Sequence, residues 1–335
     1  MRRCVVLPVA ILCMLMNCSS GAQPNATDIL KKSYEAETRA SLTGRMRTTL
    51  YTGSAATTGD IAICRSGRQV RMDYLSGPSA GMSILDDGRS MTRLDSRTKT
   101  AYVSGTPEAP EHLSLLLANY TPVVTGTGRV AGRDCYVLAI RPKYPGNPSK
   151  RLWIDQSTFV ALKTERFGSD GKPTMSTEYT SVDYSKRPSA SLFVVAKGWR
   201  TVRLAASGDS SLDAVRKAVG FIPVKPGYVP KGYRFDGYYL RENPRGIRFA
   251  GLRYTNGMNT ISVYEHDRPC LGGRGPGRGM GMGRGQEPRA GRCAGCILAE
   301  TPHAQMARVF VGDLMVIVVG DISTAELQNM ANSFR

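Results

Sequence analysis

Two thiols flank two residues in Cys293-Ala294-Gly295-Cys296, with Cys270 upstream and His266 and His303 nearby in sequence. Three chemistries use such a set. A disulfide from Cys270 to Cys293 or to Cys296 would pin the base of the intervening loop in an oxidising compartment. A zinc site would need all three thiolates and one histidine, the one set of four ligands the stretch offers. A redox-active pair would normally open a helix, and the flanking residues read as strands. The order of preference is therefore disulfide, metal, redox catalysis. Between these cysteines, residues 271–292 repeat Gly with Arg and Met, but no window has the Gly-x-Gly-x-x-Gly spacing of a phosphate-cradling loop. The stretch reads as a basic connecting loop.

Hydrolytic chemistry finds no support. There is no Gly-x-Ser-x-Gly elbow and no His-Glu-x-x-His, and the whole chain has three histidines, His112, His266 and His303. Asp86-Asp87 reads as a turn, and Asp134 and Asp155 lie at strand ends. The expectation is a binding protein without enzymatic activity or cofactor. The candidate ligand-binding residues are Met72, Tyr74, Met82, Ile84, Met91 and Tyr102, which recur at alternate positions of successive strands, together with Trp153. Such a stripe is ordinarily solid core. On a curved sheet covered by helices it lines an apolar cavity instead, and the flexible thioethers suit acyl chains.

The elements that must position these residues follow from the hydropathy pattern. Residues 27–36 have helical spacing, after which the period becomes two through 104, with turns at Asp87-Gly88 and 96–99. Residues 110–118 interrupt as a short helix, and strands resume at 121–130, 135–143, 151–155, 159–167 and 175–184. Consecutive strands without alternating helices exclude a doubly wound parallel sheet. The fold class is α+β, a curved antiparallel sheet (half-barrel) covered by helices over residues 25–187, then a linker over 188–210. A smaller α+β domain over 211–335 follows, with a helix at 212–219, an Asn256-Gly257 hairpin, and a capping box Ser323-Thr324-Ala325-Glu326 opening a terminal helix. Cys64 and Cys135 fall in strands, as core thiols or as a pair across the sheet.

The chain has 335 residues, long enough for two cores, and a formal charge of +18 from 45 Lys+Arg against 27 Asp+Glu. Arg2 and Arg3, the apolar run Cys4–Met16 and the small residues through Ala22 read as an export signal over residues 1–22. Lipidation at Cys18 is the alternative, disfavoured by Asn17 before it. An exported, strongly basic protein has anionic lipid, cell-envelope polymer or an acidic protein segment as its partner; nucleic acid is excluded by the compartment.

The succession 128–138 (Gly-Arg-Val-Ala-Gly-Arg-Asp-Cys-Tyr-Val-Leu), then Leu152-Trp153-Ile154-Asp155-x-x-Thr158, then Leu162-Lys163, resembles the MucB/RseB family of periplasmic sigma-factor regulators. Residues 226–233, 254–257 and 262–265 are similar to that family's smaller second domain. The resemblance implies a first domain like the lipoprotein carriers LolA and LolB. It also implies a second domain that docks on a membrane-anchored anti-sigma factor and releases it when lipid or mislocalised lipoprotein binds. A LolA-type lipid carrier and an anionic-polymer binder are the alternatives.

Overall fold

The computed structural model describes residues 25–88, 90–105, 113–203, 210–242, 246–267, 297–301 and 304–335. The export segment with Cys18, and Cys270, Cys293, Cys296 and the insertion 271–292, lie outside the described residues.

The first helix, α1 (Ala26–Arg39), is capped by Asn25, whose side chain accepts the Thr27 N–H at 2.9 Å. Its buried residues are Ile29, Leu30 and Ser33, one stripe at helical spacing. Six strands follow as a meander, β1 (Ser41–Thr52), β2 (Ala55–Ser66), β3 (Gln69–Tyr74), β4 (Met82–Asp86), β5 (Ser90–Asp95) and β6 (Thr100–Gly105). Helix α2 (Leu113–Asn119) leads to a second meander of β7 (Tyr120–Val130), β8 (Arg133–Pro142), β9 (Ser149–Asp155), β10 (Ala161–Phe167) and β11 (Pro173–Asp183). The meanders join where β1 pairs antiparallel with β11, Met46 opposite Tyr179. One open, curved sheet results, in the order β12-β6-β5-β4-β3-β2-β1-β11-β10-β9-β8-β7.

Much of the segment expected as a linker is ordered onto this sheet. A 3-10 turn (Ala190–Phe193) and β12 (Arg200–Arg203) follow β11, and β12 pairs parallel with β6. Val195 and Trp199 pack on Leu85, Leu94 and Ala101, closing the outer face of β4–β6. Arg71 fastens the 3-10 turn, donating to the Leu192 carbonyl at 3.0 Å.

The second sheet has the order β13-β14-β15-β18-β17-β16 from β13 (Arg234–Glu242), β14 (Arg248–Thr255), β15 (Thr260–Asp267), β16 (Ile297–Thr301), β17 (Ala304–Val311) and β18 (Leu314–Gly320). It is preceded by α3 (Leu212–Val219) and closed by α4 (Thr324–Asn332), whose Leu327 and Met330 are buried against Leu252, Val263, Val316 and Val318. Half of the expected capping box forms. Ser323 accepts the Glu326 N–H at 3.4 Å, while the Glu326 carboxylate turns to the Tyr228 hydroxyl instead of back to the cap.

Candidate functional site

Strand register places the methionine stripe on the concave face of the large sheet. One transverse row runs Gly44, Ile63, Met72, Ile84, Arg93, Tyr102, and the next runs Leu42, Arg65, Val70, Asp86, Met91, Ser104. Because side chains alternate across a strand, residues that pair in a row share a face. Met72, Ile84 and Met91 line a cavity of about 340 Å³ together with Met46, Ile63, Val70, Leu162 and Tyr179. Tyr74, Met82 and Tyr102 share the face but do not line that space. The Arg93 guanidinium covers the Tyr102 ring at 4.8 Å, which breaks the apolar stripe at the β5–β6 edge.

Trp153 stands on the opposite face. It belongs to the transverse row Trp153, Lys163, Glu178, Arg47, Asp60. Its indole lies against Gly128, which has no Cβ to hold it off, with Lys163 Nζ 4.7 Å from the ring centre. The period-two pattern identified strands correctly but carried no information on how distant strands align. Residues from β9 and β10 were therefore not assignable to a face, and Tyr179 of β11, a wall of the cavity, went unnoticed.

Helix α1 borders the cavity at one residue, Glu37. Glu37 on its last turn meets Arg65 of β2, Oε2 to Nη2 at 2.7 Å, both residues lining the opening. The Arg65 Nε is buried with no hydrogen-bond partner among the described residues. The cavity is thus an apolar bowl with three thioethers and a charged clasp at its rim.

The two sheets meet through the Asn-Gly hairpin. The Asn256 side chain, 1% exposed, donates to the Tyr120 hydroxyl at 2.8 Å and to Asn147 Oδ1 at 3.1 Å, and accepts from the Met258 and Asn259 N–H groups. Asn119 of α2 reaches back, with Nδ2 at 2.9 Å from the Gly232 carbonyl and 3.0 Å from that of Asn256. Ser323 N–H donates to Gly146 O at 2.9 Å beside this contact. Sequence reading recognised the hairpin but not that its tip is an inter-sheet contact, since an Asn-Gly turn ordinarily faces water.

Two buried carboxyls lie in the second half. Burial pushes Glu265 up to about 7, with the Val224 N–H donating to Oε2 at 2.9 Å and partly opposing the shift. Burial likewise raises Asp321 to about 6, against the pull of Arg166 from the first sheet. Cys64 and Cys135 are free thiols, and burial pushes Cys135 up to about 11. Among the described residues no group of three or more His, Cys, Asp or Glu is placed to hold a metal ion.

Residues 63–196 match the family model of the MucB/RseB N-terminal domain. Among solved structures, the complex of MucA and MucB from Pseudomonas aeruginosa matches with 19% identity and a TM-score of 0.64, covering 92% of this chain and 98% of that one. MucB bound to MucA(peri) gives 19% identity and a TM-score of 0.63 over 93% and 98% of the two chains. MucB by itself gives 19% identity and a TM-score of 0.57 over 92% and 97%. No curated protein sequence matches the chain.

Proposed function

We propose, from the match of residues 63–196 to the MucB/RseB N-terminal domain model, that the chain is an exported, non-enzymatic regulator. It binds the extracytoplasmic segment of a membrane-anchored anti-sigma factor and gives it up when an acyl chain enters the concave cavity. The observation that carries the reading is the shared fold over both sheets: 98% of the chain crystallised with MucA(peri) is covered at a TM-score of 0.63. The likeness therefore extends through the second half and the inter-sheet contact, beyond a lone lipid-binding half-barrel.

The cavity supports the sensing arm. At about 340 Å³ it is a ligand-sized space, within the roughly 300–1,000 Å³ of small-molecule sites. Met46, Met72 and Met91 adapt to a flexible chain as rigid aliphatics would not. A ligand moves the partner only if its affinity differs between free and partner-bound protein, so acyl binding and partner binding must oppose one another.

The test is a titration of the purified protein with the extracytoplasmic segment of the one-span anti-sigma protein encoded beside its gene, with and without a long-chain lysophospholipid. The reading expects a one-to-one complex that the lysophospholipid weakens. Absence of any complex overturns the regulatory assignment. A complex indifferent to lysophospholipid leaves binding and removes lipid sensing; retention of acyl chains without any partner points to a carrier.

A further inference from the structure

We propose that the cleft between the C-terminal half of α1 and the β9–β10 turn is a second binding site, for a small anion with an apolar body, built around Phe159. It is distinct from the methionine cavity and does not rest on the function proposed above. The cleft has a volume of about 370 Å³, and Ala36, Ala40 and Val160 are among its lining residues, with the rings of Phe159 and Tyr184. None of these residues lines the methionine cavity, which lies on the other side of α1 at Glu37.

Three observations point to a ligand. Phe159 sits in the left-handed region with φ 60°, where a bulky side chain is a marked outlier and glycine would be at ease. Such strain persists only where surrounding structure enforces it, and it clusters at binding sites. Here the enforcing structure is visible: Asp155, 1% exposed, accepts from the Arg133 guanidinium, from Ser157 N–H at 3.0 Å and from the Thr158 hydroxyl at 2.8 Å. The turn is then closed by Phe159 N–H to Asp155 O at 2.9 Å and Asp155 N–H to Val160 O at 3.0 Å. Burial pushes the Asp155 carboxyl up, but these donors outweigh it and hold the group ionised below the usual carboxylate range.

The second observation is the wall opposite. Arg133 also covers the Tyr184 ring at 5.0 Å, and the Tyr184 hydroxyl lies 3.1 Å from the Thr158 hydroxyl, so both rings hang from the same Asp155 hub. The third is charge. Lys32 Nζ stands 4.9 Å from the Phe159 ring centre and has no carboxylate partner among the described residues. At the same mouth Arg39 pairs with Glu35 at 3.8 Å. The mouth thus carries one uncompensated ammonium over an apolar, aromatic-walled recess, which selects a carboxylate or phosphate joined to a compact hydrocarbon. Free small acids and the head region of an acyl lipid share that chemistry.

The test uses the full-length exported protein, titrated calorimetrically with octanoate and with 1-octanol. Wild type is expected to bind octanoate at least tenfold more tightly than octanol. Phe159→Gly should weaken octanoate at least tenfold while the protein still folds cooperatively, the relief of the left-handed turn offsetting part of the packing lost where the ring rests on the α1–α2 cluster. Lys32→Gln should abolish the preference for octanoate, and Lys172→Gln, which removes an exposed ammonium that lines neither cavity, should leave it in place. A Phe159→Gly protein that binds as wild type does, or a Lys32→Gln protein that keeps the preference, overturns the proposal, as does wild type without octanoate affinity. Extending the chain from octanoate to dodecanoate separates the sources. Affinity rising about fourfold per methylene marks an acyl lipid, from the transfer free energy of a buried methylene, and affinity flat beyond eight carbons marks a free acid.

Discussion

Replacing Gly257 by Ala probes how firmly the two sheets are fixed to one another. Gly257 lies at the tip of the β14–β15 hairpin with φ +90°, and a Cβ there would stand 2.4 Å from Leu116 N and 2.8 Å from Leu115 C and Leu116 Cα. Every atom it meets is helix backbone, so no rotamer change relieves the overlap. The left-handed conformation costs a non-glycine residue about 1 kcal/mol, and forcing the hairpin off α2 adds roughly 1–3 kcal/mol, the range for overpacking. Retreat also stretches the bonds from Asn256 to Tyr120 and Asn147, which are 2.8 and 3.1 Å long. Gly312→Ala is the control. That glycine turns β17 into β18 with φ +56° and nothing within 4 Å of the added Cβ, so it carries the conformational cost alone. Urea unfolding monitored by circular dichroism, with small-angle scattering of the folded protein, reads both quantities. Gly257→Ala should be less stable than Gly312→Ala by about 1–3 kcal/mol, and its radius of gyration should rise as the halves separate. Equal midpoints and an unchanged radius would show that the hairpin is not a structural latch.

Three further outcomes follow from particular groups. Glu265, at about 7 in the folded protein, binds a proton more tightly than in the unfolded chain, so its contribution is present at acid pH and lost as pH rises from about 4.5 through 7; Glu265→Gln should flatten that part of the stability profile and gain on the order of 3 kcal/mol at pH 8, read by denaturant midpoints across pH. Asp155→Ala leaves Arg133 and the 155–160 turn without their acceptor and should cost about 3–5 kcal/mol, the range for breaking a buried pair, seen as a lowered melting temperature. Trp153→Ala, on the convex face, should lower stability by about 1–2 kcal/mol for a half-buried ring yet leave uptake of a fluorescent fatty acid unchanged. Met72→Gln should do the reverse, and an uptake defect in Trp153→Ala would contradict the assignment of faces.

The sequence by itself determined most of the strands, the helices and the α+β class, because side-chain period, turn residues and caps are local properties of the chain, but not β12 or β16. The meander from Met46 to Tyr102 and the terminal helix opened by Ser323 were legible in that way. So was the stripe Met72, Ile84, Met91, since neighbouring hairpins fix their mutual register through short turns. Tertiary structure alone decided what depends on contacts between remote segments. The pairing of β1 with β11 across 133 positions of chain, Met46 opposite Tyr179, completes the cavity wall and fixes which face each later strand presents. By the same pairing Trp153, whose spacing suits either face, falls on the outside. Only the folded chain could reveal that the Asn256-Gly257 turn is buried against α2, or that Phe159 is held with φ 60° by the Asp155 hub. Both are cases where partners distant in sequence impose a conformation that local preference would not choose.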